Sequence, residues 1–467
     1  MRLLTLATVF TALATSAFAQ SDADLVKQGE YIARAADCTA CHTAPVDGKP
    51  FSGGYKISSP MGPIIATNIT PSKDYGIGTW SEDEFAKAIR QGVTPDGTHL
   101  YPAMPYPSYA KMTDADVKAL YTYLMQGVDP VDAAPAEKTD LPFPFNQRAL
   151  MIGWNMLFSP KPGWTAPDGL SDQEARGAYL VDALEHCSTC HTPRGLMMNE
   201  KQSEYLGGGS LGSWRAPNIT PDKATGIGDW SNEDIVAYLR NGFAKGHGSA
   251  AGPMAEAVEH SLSKLKDDDL EAIAAYLKKV PAVQSAIDVA ASPAVQEVPI
   301  TSYETADWQG NPDHADALAD HSTTDGAKLY NSACAACHGV DGQGAPDGRF
   351  PSLSKSAPVT SKDPSNLVMT IAEGISRHDA TGYSVMPNFR NDLDDGQIAA
   401  LAKYVQTNFG GTDPKLDKAA VDTIRSGGEV PWIVKNAAWM TWAGIIIAVI
   451  VILGLIGVFR RARRRQV

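Results

Sequence analysis

Positive charge is scarce in this chain. Forty Lys and Arg stand against 53 Asp and Glu, giving a net charge of −13 and an isoelectric point near 5.2. No basic stripe occurs before the short C-terminal tail, which argues against a nucleic-acid-binding surface. Cysteine is scarcer still, with six in 467 residues. Long uncharged apolar runs are missing except at the two ends. Only 20% of residues are charged and 43% are hydrophobic, so the chain is not disordered and can build the two to four cores that its length predicts.

The two ends differ. The N-terminus, MRLLTLATVFTALATSAFAQ, has one Arg, an apolar run, and Ala-Phe-Ala before Gln20. That three-part pattern predicts a secretory signal over residues 1–19. At the C-terminus, Trp439 to Phe459 carries no charge and is followed by Arg460, Arg461, Arg463, Arg464 and Arg465. About 20 apolar residues at a rise of roughly 1.5 Å span the roughly 30 Å hydrocarbon layer. A transmembrane helix is therefore expected over 438–459, after a juxtamembrane linker over 412–437. The basic tail, 460–467, is expected in the cytoplasm. Trp432, Trp439 and Trp442 mark the other interface. This predicts a protein on the periplasmic side of the inner membrane, held by one C-terminal anchor.

All six cysteines fall in three copies of one motif: CTACH (Cys38, Cys41, His42), CSTCH (Cys187, Cys190, His191) and CAACH (Cys334, Cys337, His338). C-x-x-C-H is the attachment motif of c-type haem. Two thiols three residues apart share a helix face, so each can add to one vinyl group of a single porphyrin. The next residue, His42, His191 or His338, then reaches the iron as proximal ligand. A disulfide framework would not place His after every second Cys, a redox pair would usually occur once, and a zinc site needs four convergent ligands. Three covalent haems are the expected cofactors.

One segment recurs. NITPSKDYGIGTW (68–80) and NITPDKATGIGDW (218–230) agree at nine of thirteen positions, 150 residues apart. At that offset Met104, in YPAMPYP, meets Met254, in AAGPMAE, whereas Met61, Met112 and Met125 have no counterpart. In the third unit Met386 precedes Pro387 in YSVMPNF, while Met369 lies in the apolar helical stretch LVMTIAEGI and reads as core. Met104, Met254 and Met386 are thus the expected distal ligands. His99, His247, His260 and His378 are weaker alternatives. His/Met ligation leaves no open iron position, which points to electron transfer and to no catalytic residues in this chain. Trp80 and Trp230 either donate to a haem propionate or simply close the loop by packing.

A mainly α architecture is expected, with three tandem haem units over 20–130, 173–281 and 323–411 and linkers over 131–172 and 282–322. Each unit opens with a helix carrying Gly and then Tyr (Gly29/Tyr31, Gly177/Tyr179, Gly326/Tyr330) and closes with a helix that begins in Asp-rich sequence. The first linker contains LPFPFNQRALMIGWNMLFS, unusually apolar for a connector. It suits docking on a partner, contact with a membrane, or packing between the units. The second, rich in Ala, Pro, Asp and Thr, suits a partner wrap or a plain spacer.

Each unit resembles a class I cytochrome c domain. In that family a Pro carbonyl after the haem motif accepts the proximal imidazole N–H. Pro217-Asn218-Ile219 matches that segment, and Phe350-Pro351-Ser352-Leu353 matches it loosely. The first unit has Thr67 in the proline position, where a carbonyl can still accept. Over nearly its whole mature length, the chain is similar to the triheme cytochrome c subunits of membrane-bound periplasmic dehydrogenases. DCTACHT, TNITP, LYPAMPYPSY, HCSTCHTPRG, APNITP and GPMAEAVEHS carry the likeness. The resemblance implies a separate catalytic subunit whose electrons pass through three haems to ubiquinone. That subunit is expected to be a flavin sugar or sugar-acid dehydrogenase or a molybdenum aldehyde dehydrogenase. Partners of pyrroloquinoline-quinone alcohol dehydrogenases are more distant. A terminal-oxidase cytochrome subunit and a free-standing periplasmic electron-wiring cytochrome remain alternatives of other kinds.

Overall fold

Short polar side chains start the helices. Ser21, Ser81, Thr113, Ser171, Ser231, Asp325 and Asp394 each accept a hydrogen bond from a first-turn backbone N–H, which satisfies donors a helix cannot pair internally. The computed structural model describes residues 21–285, 318, 320–345, 350–379 and 382–464. The expected signal and most of the expected second linker lie outside them.

The first unit comprises α1 (Asp22–Ala35), α2 (Cys38–His42), the hairpin β1 (Lys56–Ile57)/β2 (Ile64–Ile65), α3 (Glu82–Gln91), α4 (Tyr106–Tyr109) and α5 (Asp114–Gln126). Helix α6 (Leu150–Phe158) lies in the apolar connector. The second unit repeats the frame with α7 (Asp172–Tyr179), α8 (Ser188–His191), β3 (Gly209–Leu211)/β4 (Trp214–Ala216), α9 (Asn232–Asn241), β5 (Phe243–Ala244)/β6 (Gly248–Ser249), α10 (Gly252–His260) and α11 (Asp267–Leu277). The third has α12 (Gly326–Ala333), α13 (Ala335–His338), α14 (Ala357–Thr360), α15 (Ser365–Glu373), β7 (Ile375–Asp379)/β8 (Gly382–Met386) and α16 (Asp395–Phe409). Then follow α17 (Lys418–Arg425) and α18 (Trp432–Arg463). The architecture is mainly α, as the sequence predicts.

In every unit the first and last helices pack against each other: α1 on α5, α7 on α11, α12 on α16. A glycine makes each approach possible. A Cβ on Gly29 would lie 2.0 Å from the Ala119 carbonyl oxygen, one on Gly177 1.9 Å from that of Ala272, and one on Gly326 2.5 Å from that of Ala400. This is the reason for the glycine in each opening helix.

The first two units share one continuous apolar core, whereas the third has its own. Their joint is reciprocal. Tyr31 of the first unit donates to Asp269 of the second at 2.5 Å, and Tyr179 of the second donates to Asp116 of the first at 2.5 Å. Each Tyr oxygen also accepts the backbone N–H that precedes the partner helix, Lys266 at 3.3 Å and Thr113 at 3.1 Å. Arg176 adds two bonds to Asp269 at 2.7 and 2.8 Å, and Gln28 adds one to Asp116 at 3.0 Å. The duplicated units thus meet through the same surface, in the manner of a two-fold dimer.

The third unit docks on the second. Arg377, on β7, is buried and donates to the carbonyls of Ala250 at 2.7 Å and Asn241 at 3.0 Å. Asn366 and Arg215 exchange two bonds of 2.8 Å, and Arg215 pairs with Asp363. Beyond it, α18 contains an 18-residue stretch with a mean hydropathy of 2.7, none of which is buried within the protein.

Desolvation alone would raise the Asp269 carboxyl, but the Arg176 and Tyr31 hydrogen bonds outweigh it and hold it below the ordinary range. Its stabilisation is therefore complete above the unfolded-state value of about 3.9 and is lost as pH falls through the lower folded value. Tyr31→Phe and Tyr179→Phe should each cost about 1.5–3 kcal/mol, as expected for bonds to a charged group. Tyr330→Phe, whose partner is the neutral Gly339 carbonyl at 2.6 Å, should cost about 0.5–1.5 kcal/mol. Denaturant midpoints by circular dichroism read the difference, and equal small losses at all three positions would contradict it.

Candidate functional site

Each C-x-x-C-H motif folds as a single helical turn. In α2 both cysteines lie within the helix, while Cys187 and Cys334 cap α8 and α13. One turn carries the two thiols to the same side, and no cysteine is in a disulfide. Burial, with the nearby Asp37 carboxylate, pushes the Cys38 and Cys41 thiols up to about 12, and burial does the same at Cys334. Burial raises Cys187 and Cys190 too.

The imidazoles share one arrangement. Nδ1 of His42 lies 2.7 Å from the Thr67 carbonyl oxygen, Nδ1 of His191 2.7 Å from that of Pro217, and Nδ1 of His338 3.0 Å from that of Pro351. Burial lowers the pKa of all three rings. A neutral ring that donates from Nδ1 keeps its Nε2 lone pair for a metal. Paired thiols and one oriented imidazole per site fit a covalently attached haem. Thr67 takes the proline's place with the same carbonyl geometry, because the acceptor is backbone and not side chain.

Two devices hold those carbonyls, and neither was anticipated from the motifs. The first is a glycine whose N–H donates to the histidine's own carbonyl: Gly53 to His42 at 2.7 Å, Gly208 to His191 at 2.7 Å, Gly344 to His338 at 2.8 Å. All three have positive φ, at +78°, +100° and +69°. A Cβ there would meet the acceptor segment at 2.5, 3.2 and 2.4 Å. These glycines follow the histidine by 11, 17 and 6 residues, so no fixed spacing signals them.

The second device explains the repeated NIT. Asn68 and Asn218 are buried, and each Oδ1 accepts from the backbone N–H and hydroxyl of Thr70 or Thr220 at 2.9 and 2.7 Å. The amide nitrogens donate onward, Asn68 to the Val131 carbonyl at 2.8 Å and Asn218 to that of Val283 at 2.7 Å. This buried polar clamp ties the proximal turn to the segment leaving the closing helix. The repeated GIG then turns back: the N–H of Ile77 and Ile227 donates to the carbonyl of Thr70 and Thr220, each at 2.9 Å. Trp230 packs edge-on to Tyr238 and stacks on His247 at 4.0 Å, and the Trp80 carbonyl accepts from Tyr121 at 2.7 Å.

The methionines lie in three local settings. Met104 sits in a turn before α4, bonded to Tyr101 and Tyr106 through its backbone, and packs on the shared core. Met254 is in the first turn of α10 and packs on the same core. Met386 ends β8, half-buried, opposite Ile375. Met369 is buried in α15. His247 lies 3.4 Å from Asp234, and His378 lies 3.4 Å from Glu259.

The first two centres are neighbours. Buried Tyr109 donates to the Ala36 carbonyl at 2.6 Å, beside the first motif, and its ring stands edge-on to His186, beside the second, at 5.6 Å. Helix α10 packs on α2, and Tyr55 donates to Glu256 of α10 at 2.9 Å.

Gly344→Ala should lengthen the His338–Pro351 bond and cost about 1–3 kcal/mol of backbone strain. The ring becomes less electron-rich, so the third haem's potential should rise while the other two stay fixed in a spectroelectrochemical titration. An unmoved third potential would show that the glycine does not set the acceptor.

A profile of the cytochrome c family matches residues 26–127, 174–281 and 323–409. The chain is 43% identical over 453 residues to the fructose dehydrogenase cytochrome subunit of Gluconobacter japonicus, covering 94% of this chain and 92% of that one. It is 39% identical over 450 residues to the cytochrome c subunit of alcohol dehydrogenase (quinone) of Gluconacetobacter polyoxogenes, covering 93% and 91%. It is 39% identical over 424 residues to the gluconate 2-dehydrogenase cytochrome c subunit of Pantoea cypripedii, covering 87% and 90%. With three matched segments and three attachment motifs, the chain binds covalent haem c, and it belongs to the cytochrome c family, in the group of triheme cytochrome c subunits of dehydrogenase complexes.

Proposed function

We propose that this chain carries electrons from a separate catalytic dehydrogenase subunit to ubiquinone in the membrane. The observation that carries this reading is likeness over nearly full length to cytochrome subunits of dehydrogenases that act on fructose, gluconate and alcohols by name. The fructose and gluconate relatives favour a sugar or sugar-acid substrate, hence a flavin-containing partner. A molybdenum aldehyde dehydrogenase and a pyrroloquinoline-quinone alcohol dehydrogenase are the other candidates, and the 39% identity to the cytochrome subunit of an alcohol dehydrogenase (quinone) favours the second of these.

Bound haem supplies reversible one-electron chemistry of its iron. In this reading the chain does the rest. Cys38 and Cys41, Cys187 and Cys190, and Cys334 and Cys337 fix the porphyrins. His42, His191 and His338, oriented by their carbonyl partners, would ligate the irons. Met104, Met254 and Met386 would supply neutral sulfur to the irons, which would raise potentials relative to two nitrogen ligands. The reciprocal joint keeps the first two centres at fixed separation, and Arg377 fixes the third unit beside the second. Two electrons leave the substrate at the partner, travel singly, and reduce one quinone with uptake of two protons. The haem units face the periplasm, α18 crosses the bilayer, and Arg460, Arg461, Arg463, Arg464 and Arg465 stay cytoplasmic.

Met104→His, Met254→His and Met386→His should each lower one midpoint potential and spare the other two, read by redox titration of the purified protein. Absence of a shift in a given variant would reject that ligand. Truncation after Val430 should release a haem-loaded chain that still accepts electrons from the dehydrogenase but loses quinone reduction. Undiminished quinone reductase activity in detergent would make α18 a tether only.

A further inference from the structure

Helix α6 in the connector carries no charged residue, and Asn155 is its one amide side chain. Its two faces are sharply divided. Trp154 is buried and donates from its indole N–H to the Met197 carbonyl at 2.9 Å, while Asn155 accepts from Tyr106 at 2.6 Å and donates to the Gln91 carbonyl at 3.3 Å. Opposite them Leu150, Ile152, Met156 and Leu157 are 52, 49, 82 and 68% exposed. At 3.6 residues per turn these four fall within an arc of roughly 160°. Leu196 and Met197, at 73 and 49% exposure, extend the patch beside Trp154. Contiguous apolar surface of this kind marks an interaction site.

The same connector touches the transmembrane helix. Phe143 stacks on Trp442 of α18 at 5.5 Å, with the rings 29° apart. About 20 residues span the hydrocarbon layer, so counting back from Arg460 puts its outer edge near Met440. Trp442 lies just inside that edge, and Phe143 with it. The connector therefore reaches the membrane boundary seven residues before α6 begins.

We infer that α6 is a second membrane contact, lying in the bilayer interface with Leu150, Ile152, Met156 and Leu157 among the acyl chains. Continuity with the Phe143–Trp442 contact selects lipid as the occupant rather than the dehydrogenase. Lys161, exposed just beyond the helix, is placed to reach headgroups. The inference rests on α18 spanning the bilayer.

Haem attachment consumes all six native cysteines of this chain, so one introduced cysteine is its sole free thiol. Met156→Cys, Leu157→Cys, Ile450→Cys in α18 and the exposed control Lys223→Cys are each prepared as the dehydrogenase complex in lipid nanodiscs. Alkylation by a water-soluble maleimide and by a lipid-soluble pyrene maleimide is then followed by mass spectrometry. The expected result is that positions 156 and 157 react at least tenfold more slowly than 223 with the water-soluble reagent but react with the pyrene reagent, as 450 does. Reaction at 156 and 157 as fast as at 223 would overturn the inference. Protection from both reagents would overturn it in favour of a protein cover. Fast aqueous reaction at 450 would instead show that α18 does not span, which separates that failure from the α6 claim.

Discussion

The bond from each histidine Nδ1 to a backbone carbonyl is the constraint around which each unit is organised. It fixes the ring's tautomer and rotation and leaves Nε2 for the metal. A lone imidazole on a loop would sample several orientations. Here the acceptors Thr67, Pro217 and Pro351 are held from two directions. A glycine at positive φ lets the acceptor segment come close. In the first two units, a buried Asn-Thr clamp ties that segment to the far side of the domain. Among its described residues the third unit shows no such clamp, and its bond is 3.0 Å, against 2.7 Å in the others.

Duplication shaped the assembly as well as the units. Because the first two are copies, the surface that one offers is the surface that the other can meet. The Tyr31–Asp269 and Tyr179–Asp116 bonds express that reciprocity. The third copy diverged: Lys328 stands two residues after its packing glycine, where the first two units have Tyr31 and Tyr179, while its tyrosine, Tyr330, comes four residues after and donates to the Gly339 carbonyl, and the unit docks instead through Arg377 and the β7–β8 hairpin. A pair made rigid by a shared core and a third unit attached by polar contacts suits a relay whose inner separations are fixed.

Much of this was legible in the sequence because it is local. Acidic first turns and helical periodicity mark α1, α5, α7, α11 and α16, the haem motif marks its own turn, and an uncharged run ending in arginines marks α18. The family and the cofactor follow from those motifs. Other features depend on distant partners and leave no local trace. Asn68 reads as one loop residue until Val131 and Ala133 are seen beside it. Arg377 reads as a surface arginine until the carbonyls of Asn241 and Ala250 surround it. Gly53, Gly208 and Gly344 do one task at three different spacings. The Met104 and Met254 assignments came from the 150-residue offset, a relation between copies that needs no structure to see.

The central claim is that this cytochrome works as the electron-carrying arm of a dehydrogenase. The most direct test is to purify the tagged chain from membranes in mild detergent, identify what accompanies it, and assay the preparation for flavin, molybdenum and pyrroloquinoline quinone. The account predicts a co-purifying dehydrogenase, with bound flavin, whose sugar or sugar-acid substrate reduces the haems and then a ubiquinone analogue. A chain that purifies without any dehydrogenase, from cells expressing its neighbouring genes, would contradict it.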